Sequence, residues 1–178
     1  YARLSVIYFN IGDNTKATEY AVQAYERRDR VSERERFYIT ARHQTMTGAD
    51  NDLISTYELW KQTYPRDTTP RNNLAIVYSK IGDFEHSVGE ALEANRLDPS
   101  IPFPYGNLCS GYLALNRLAE AREIGKRGLA IRPAFGDLHR CLFTIAYLEK
   151  DAAGMQRQID EALKVNNHGP VLFAQVRA

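Results

Sequence analysis

Residues 73–84 read NLAIVYSKIGDF and contain a pattern that recurs through the rest of the chain. Leu74, Ala75 and Tyr78 are spaced so that their side chains fall on one face of an α-helix. Gly82 follows at the position where such a helix ends, because glycine adopts the left-handed backbone conformation that closes many helices. The stretch therefore predicts one amphipathic helix followed by a tight turn.

A second helix follows this turn. Ser87, Ala91 and Ala94 place small side chains on one of its faces, where another helix backbone can approach closely. Pro99 ends it, because proline lacks an amide donor and disfavours helical geometry in the residue before it. Residues 68–101 are therefore predicted to form a pair of helices.

The same pattern repeats at a fixed interval. Pro65, Pro99 and Pro133 are spaced 34 residues apart. One position of this period is held in successive repeats by Ala41, Ala75, Cys109 and Phe143. A period of 34 residues is that of the tetratricopeptide repeat (TPR), and the sequence resembles that family over nearly its whole length.

The resemblance implies an all-α fold: a right-handed α-solenoid of antiparallel helix pairs, with about five units of which the first is truncated. The predicted units are 1–32, 33–67, 68–101, 102–135 and 136–169, with an extra or capping helix at 170–178. They form a single array over 1–178, which we expect to be a fragment of a longer protein. Gly12 and Gly48 are 36 residues apart, so an insertion is predicted between Arg30 and Ser32.

Two glycines depart from the family pattern within one predicted helix. Gly125 and Gly128 stand where larger side chains or alanine are usual. Because glycine inside a helix costs about 1 kcal/mol relative to alanine, this helix is expected to be the least stable unless close packing compensates.

The family resemblance also implies a binding surface, since the first helices of TPR pairs line a concave groove that usually receives a peptide. The predicted groove residues are Tyr38, Arg42, Asn72, Asn73, Ile76, Lys80, Asn107, Ser110, Arg140, Thr144 and Tyr147. Asparagines can hydrogen-bond a peptide backbone, and the basic residues can bind a carboxylate. The alternative is that these are ordinary solvated helix residues.

One sub-class of the family grips the acidic tails of heat-shock chaperones through lysine, asparagine and basic residues at fixed groove positions. Asn73 and Asn107 each match the middle asparagine, but Tyr38 and Arg42 replace the first pair, and Phe103 and Asn107 the basic pair. We therefore reject this ligand for the present chain.

Composition narrows the class of partner. Lys and Arg total 23 against 22 for Asp and Glu, a net charge of +1 that gives no overall field for nucleic acid or an anionic membrane surface. The charge run at 26–36 alternates in sign, which favours a solvated connector over a phosphate or RNA contact. The expected partner is a protein or peptide, with no nucleic acid and no membrane contact within this segment.

Residues with catalytic or metal-binding chemistry are few and scattered. Cys109 and Cys141 lack the paired spacings of a zinc site and are expected to be free, buried thiols. The four histidines, which we expect at the surface or at helix ends, lack a ligand partner at metal-binding spacing, and no phosphate loop or nucleophile elbow occurs. We predict no enzyme activity, catalytic residues, metal or cofactor.

A second resemblance concerns residues 34–39 and 57–67, which are similar to repeat regions C-terminal to bacterial serine/threonine kinases and winged-helix regulators. It implies the sensing or docking part of a bacterial signalling protein, with a kinase or DNA-binding domain attached upstream. We expect a cytoplasmic location, and the extracytoplasmic part of a membrane-anchored parent remains the alternative. A protein-interaction scaffold is the leading function. The alternative is a self-assembly or spacer module that forms a homodimer through incomplete solenoid ends.

Overall fold

The computed structural model describes residues 1–164, apart from the side chains at 50 and 51. The helix predicted at 170–178 and the end of the fifth predicted unit lie outside the described residues. Across residues 1–164 the chain is all-α, as predicted, and contains no strand.

The described chain forms ten α-helices and one short 3-10 helix. The helices of the first part are α1 (Ala2–Asn10), α2 (Asn14–Tyr25), the 3-10 helix (Arg28–Arg30), α3 (Glu33–Thr47) and α4 (Asp50–Thr63). They are followed by α5 (Thr68–Lys80), α6 (Phe84–Leu97), α7 (Phe103–Ala114), α8 (Leu118–Ile131), α9 (Gly136–Leu148) and α10 (Ala152–Lys164).

Successive helices pack as hairpins. Helices α1 and α2, α3 and α4, α7 and α8, and α9 and α10 lie against each other. The Ser87 hydroxyl on α6 donates to the Ala75 carbonyl of α5 at 2.7 Å, which joins those two helices. The chain divides into two compact units, which we call the first unit (residues 1–70) and the second unit (residues 71–178).

The turn inside each hairpin has one backbone requirement. A residue with positive φ stands at the same position of every repeat: Gly12 (84°), Gly48 (77°), Gly82 (84°), Asn116 (57°) and Lys150 (60°). Glycine adopts this conformation without steric cost, and asparagine tolerates it better than other side chains do. The last two turns therefore keep the geometry of the first three while changing the residue.

In the first unit, the insertion predicted between Arg30 and Ser32 is accommodated by the 3-10 helix Arg28–Arg30. The Arg28 guanidinium lies 3.9 Å from the centre of the Tyr25 ring. Ser32 and Glu35 then form a reciprocal capping box that starts α3. The alternating charges of this stretch are used locally, for a cation–π contact and a helix cap.

In the second unit, α8 approaches its neighbours at its two glycines. A Cβ atom added to Gly128 would lie 2.4 Å from Leu138 Cδ1 and 2.8 Å from Tyr105 Cβ. One added to Gly125 would lie 2.8 Å from Leu142 Cδ2. Close packing thus compensates for the low helix propensity of this segment.

A disulfide bond joins Cys109 to Cys141, so the prediction of free thiols is wrong. Their separation of 32 residues is two short of the repeat, which places them on α7 and α9, two first helices that pack together. Their Cα atoms are 6.3 Å apart, and both side chains are buried in the core of the second unit. The bond therefore connects two successive hairpins.

Gly128→Ala should destabilise the protein by about 1–3 kcal/mol, because the added methyl group overlaps Leu138 and Tyr105. The matched control is Gly89→Ala on α6, where an added Cβ meets no atom within 4 Å. The control should gain up to about 1 kcal/mol from helix propensity alone. Urea unfolding followed by circular dichroism measures both, and a Gly128→Ala protein as stable as the parent would contradict the close approach.

Reduction of the disulfide should lower stability by about 3–4 kcal/mol, the chain-entropy value for a loop of this length. The measurement is the urea midpoint with and without a phosphine reductant. The Cys109→Ser, Cys141→Ser double variant serves as control and should not respond to the reductant. Two titratable thiols in the unreduced, unfolded protein would show that the bond is absent.

Candidate functional site

The predicted groove residues of the second unit lie on its first helices, α5, α7 and α9. We call the surface that these residues form the first-helix face. Its members are Asn72, Asn73, Ile76 and Lys80 on α5, Asn107 and Ser110 on α7, and Arg140, Thr144 and Tyr147 on α9.

Three asparagines on this face are brought together. The Asn107 side-chain amide donates to Asn72 Oδ1 at 3.0 Å and to the Asn72 carbonyl at 3.3 Å. The Asn72 amide in turn donates to Asn73 Oδ1 at 3.3 Å. All three side chains are half-buried. Each has two amide hydrogens and a carbonyl oxygen, and these bonds engage only part of that capacity.

Apolar side chains flank the asparagines. Ile76, one helical turn after Asn72, is 50% exposed, and Phe103, one turn before Asn107, is 52% exposed. Phe103 also touches Phe135 edge-on, with ring centres 5.8 Å apart. The sequence prediction of the groove left Phe103 out, although it stands at a position where chaperone-tail binders carry a basic residue.

The charges on the first-helix face are few and largely balanced. Arg140 lies 3.6 Å from Asp137, one turn earlier on α9. The Thr144 hydroxyl donates to the Arg140 carbonyl at 2.9 Å, which occupies its hydrogen within the helix. Lys80 lies exposed at the end of α5. The face therefore has no cluster of basic side chains.

In the first unit, Arg42 is engaged within the fold. Its Nε donates to the Ser5 hydroxyl and its Nη2 to the Ser5 carbonyl, both at 2.8 Å, which ties α3 to α1. The guanidinium also lies 4.9 Å from the centre of the Phe9 ring. Burial lowers the pKa of Arg42 from its ordinary value. A carboxylate ligand would compete with these contacts.

Tyr38, the other predicted groove residue of the first unit, lines a cavity of about 590 Å³. Tyr1, Arg3 and Trp60 contribute to the same cavity. Trp60 is almost fully buried and forms part of the core beneath it.

The residues behind the second resemblance build the joint between α3 and α4. Asp67 accepts hydrogen bonds from Arg34 Nε at 2.6 Å, Trp60 Nε1 at 3.1 Å and the Thr69 amide at 3.0 Å. Phe37 stacks on Trp60, with ring centres 6.0 Å apart. Burial raises the pKa of Asp67, but the hydrogen bonds from Arg34 and Thr69 outweigh it, so the net pKa is lowered. These residues have a structural role.

Nothing in the described part of the chain assembles a metal site from three or more His, Cys, Asp or Glu side chains. His139 lies near the start of α9, one of the two places expected for the histidines, but it is buried and not at the surface. Its ring nitrogens lie 2.8 Å from the Pro133 carbonyl and 3.0 Å from Gln158 Oε1, so it connects α9 to the preceding turn and to α10.

Of the helices within residues 1–164, none has the length and hydrophobicity to cross a membrane.

No protein-family model matches the chain, and no curated protein does. Among solved structures it is similar to TTC0263, a thermophilic TPR protein in Thermus thermophilus. The TM-score is 0.81 at 19% identity, over 99% of this chain and 94% of that one. This chain has the TPR fold.

Two further structures share the TPR fold of the chain. MamA of Desulfovibrio magneticus RS-1, from residue 41 to its end, has a TM-score of 0.69 at 13% identity, over 94% of this chain and 93% of that one. The first TPR of Spaghetti (RPAP3), bound to the HSP90 peptide SRMEEVD, has a TM-score of 0.58 at 18% identity. That similarity covers 75% of this chain and 95% of the other.

Proposed function

We propose that the chain is a protein-interaction module whose second unit binds an extended peptide segment on its first-helix face. The observation that carries the proposal is the convergence of Asn72 and Asn107, whose side chains meet at 3.0 Å from two successive first helices. The TPR fold supports a scaffold role over an enzymatic one.

Asparagine side chains suit the backbone of an extended peptide. Such a backbone presents amide donors and carbonyl acceptors along its length, and an asparagine offers the complementary groups. Asn72 and Asn107 are already held by each other, so they lose little side-chain freedom when a peptide binds. Each hydrogen bond to the peptide then contributes about 0.5–1.5 kcal/mol.

The TPR of Spaghetti (RPAP3) is bound to an HSP90 peptide, which supports peptide binding as a use of this fold. The present chain does not carry the basic residues expected for such an acidic tail. Phe103 stands at one of those positions, and Arg42 in the first unit is bound to Ser5. We propose a peptide of another kind.

The second resemblance supports a proposal about context: the binding role belongs to the sensing or docking part of a bacterial signalling protein with a kinase or DNA-binding domain upstream.

The disulfide between Cys109 and Cys141 favours the extracytoplasmic alternative over the cytoplasm. Disulfides persist in oxidising compartments and are rare in the cytosol.

Asn72→Ala combined with Asn107→Ala and Arg140→Ala should weaken peptide binding about tenfold, because one to two hydrogen bonds are lost and each 1.4 kcal/mol or so changes the affinity by a factor of ten. The probes are nonapeptides selected from a random phage-displayed library against the whole chain, measured by fluorescence anisotropy. The control is Arg96→Ala, an exposed position on α6. Peptides that bind the triple variant as tightly as the parent would overturn the proposal.

A second candidate function is self-assembly through the first helix. Leu4 on α1 is 39% exposed, whereas Leu74 and Leu108 at the same repeat position are fully buried. Ile7 on α1 is exposed too, as are Tyr1 and Ile11, which lie next to its two ends. Helices of the same type cover the equivalent positions in later repeats, so a second copy of the chain carries suitable partners.

If the chain self-assembles, its mass in sedimentation velocity should rise with protein concentration. Association is favoured because it removes the apolar surface of α1 from water. Ile7→Asp should abolish the rise. Ile81→Asp, at a similarly exposed position in the turn after α5, should leave it intact. A monomer at every concentration would exclude this candidate.

A further inference from the structure

Exposed apolar side chains lie on the first-helix face and beside it. Ile76 and Phe103 flank the asparagines, and Tyr147 and Leu148 lie exposed at the end of α9. Removing apolar surface from water contributes about 25 cal/mol per Å². These side chains are therefore the largest source of binding energy on the face.

Helices α5 and α7 run in the same direction. Ala75, in the second half of α5, contacts Ser87 near the start of α6, and Gly111, near the end of α7, approaches Val88 on α6. Helix α6 is thus antiparallel to both. The bond between Asn72 and Asn107, each close to the start of its helix, places the two first helices at the same level.

This arrangement fixes the spacing of the apolar side chains. Ile76 follows Asn72 by four residues, and Phe103 precedes Asn107 by four. At about 1.5 Å per residue each lies about 6 Å from the asparagines along the helix axis, on opposite sides. The two apolar side chains are therefore about 12 Å apart along the helix axes and, with axes about 8–10 Å apart, about 15 Å apart in all, with the amide groups between them.

An extended peptide that crosses the two helices obliquely comes close to this spacing. It advances about 3.3 Å per residue, so side chains four residues apart lie about 13 Å apart and point to the same face. The backbone of the residue between them then lies opposite Asn72 and Asn107, where its amide and carbonyl groups can be hydrogen-bonded.

At the end of the face near Phe103, the charges disfavour an acidic ligand. Asp137 neutralises Arg140 at 3.6 Å and holds the position that Phe103 occupies one repeat earlier. A peptide carboxylate placed beside Asp137 would be repelled by its negative charge. It would also lose hydration without gaining a basic partner.

We infer that the ligand of the first-helix face is an uncharged, extended peptide segment with two apolar side chains four residues apart, one contacting Ile76 and the other Phe103. The inference rests on the proposed peptide-binding function and specifies its ligand.

The test uses the same phage-displayed library of random nonapeptides, selected against the whole chain. The selected sequences should be enriched in pairs of Leu, Ile, Met, Phe or Val at positions i and i+4, and depleted in Asp and Glu. Ile76→Ser and Phe103→Ser should each weaken a selected peptide at least tenfold. Replacing one apolar side chain of the selected peptide by serine should make its binding nearly insensitive to one of these two protein variants. Its binding should stay sensitive to the other variant.

Leu92→Ser, at an exposed position on α6, is the matched control and should bind like the parent. Thermal unfolding of each variant checks that the exposed substitutions leave the fold intact. Selected peptides that need Asn107 but lack the apolar pair, or that are acidic, would overturn this inference and leave the proposed function standing. Failure to select any peptide, or binding insensitive to Asn107→Ala, would overturn both.

Discussion

The close approach of helix backbones through small side chains is the constraint on which the second unit depends. Ala75, Ala91 and Ala121 are fully buried, and Gly128 has no room for a methyl group. Larger side chains at these positions would force the helices apart, since protein interiors are packed too densely to absorb them. Within this packing the Asn107 side chain reaches Asn72 on the neighbouring first helix.

The sequence was sufficient to predict the helix pairs because their signals are local. The positive-φ turn position and the recurring prolines lie within a few residues of the elements that they end. The asparagines of the candidate face were predicted as groove residues from their repeat positions. Their mutual hydrogen bonds could not be, because those depend on how far apart two helices settle.

The features missed from the sequence involve residues distant along the chain. Arg42 finds its partner Ser5 at a separation of 37 residues, and no local pattern indicates that pairing. The spacing of Cys109 and Cys141 fits no zinc motif and therefore predicts free thiols. A spacing close to one repeat, however, places two residues side by side on neighbouring first helices. From the sequence alone, Phe103 stands out only as a mismatch with a basic residue, which does not indicate its exposed place beside the asparagines.

The disulfide also affects how the molecule would respond to mechanical force. Helical repeats pulled from their ends unravel into extended chain, and each freed residue adds about 3.4 Å of length. The 32-residue segment closed by Cys109 and Cys141 cannot lengthen while the bond is intact. The oxidised chain therefore stops about 100 Å short of the full extension that the reduced chain reaches, and the hairpin α7–α8 stays tethered to α9 under tension.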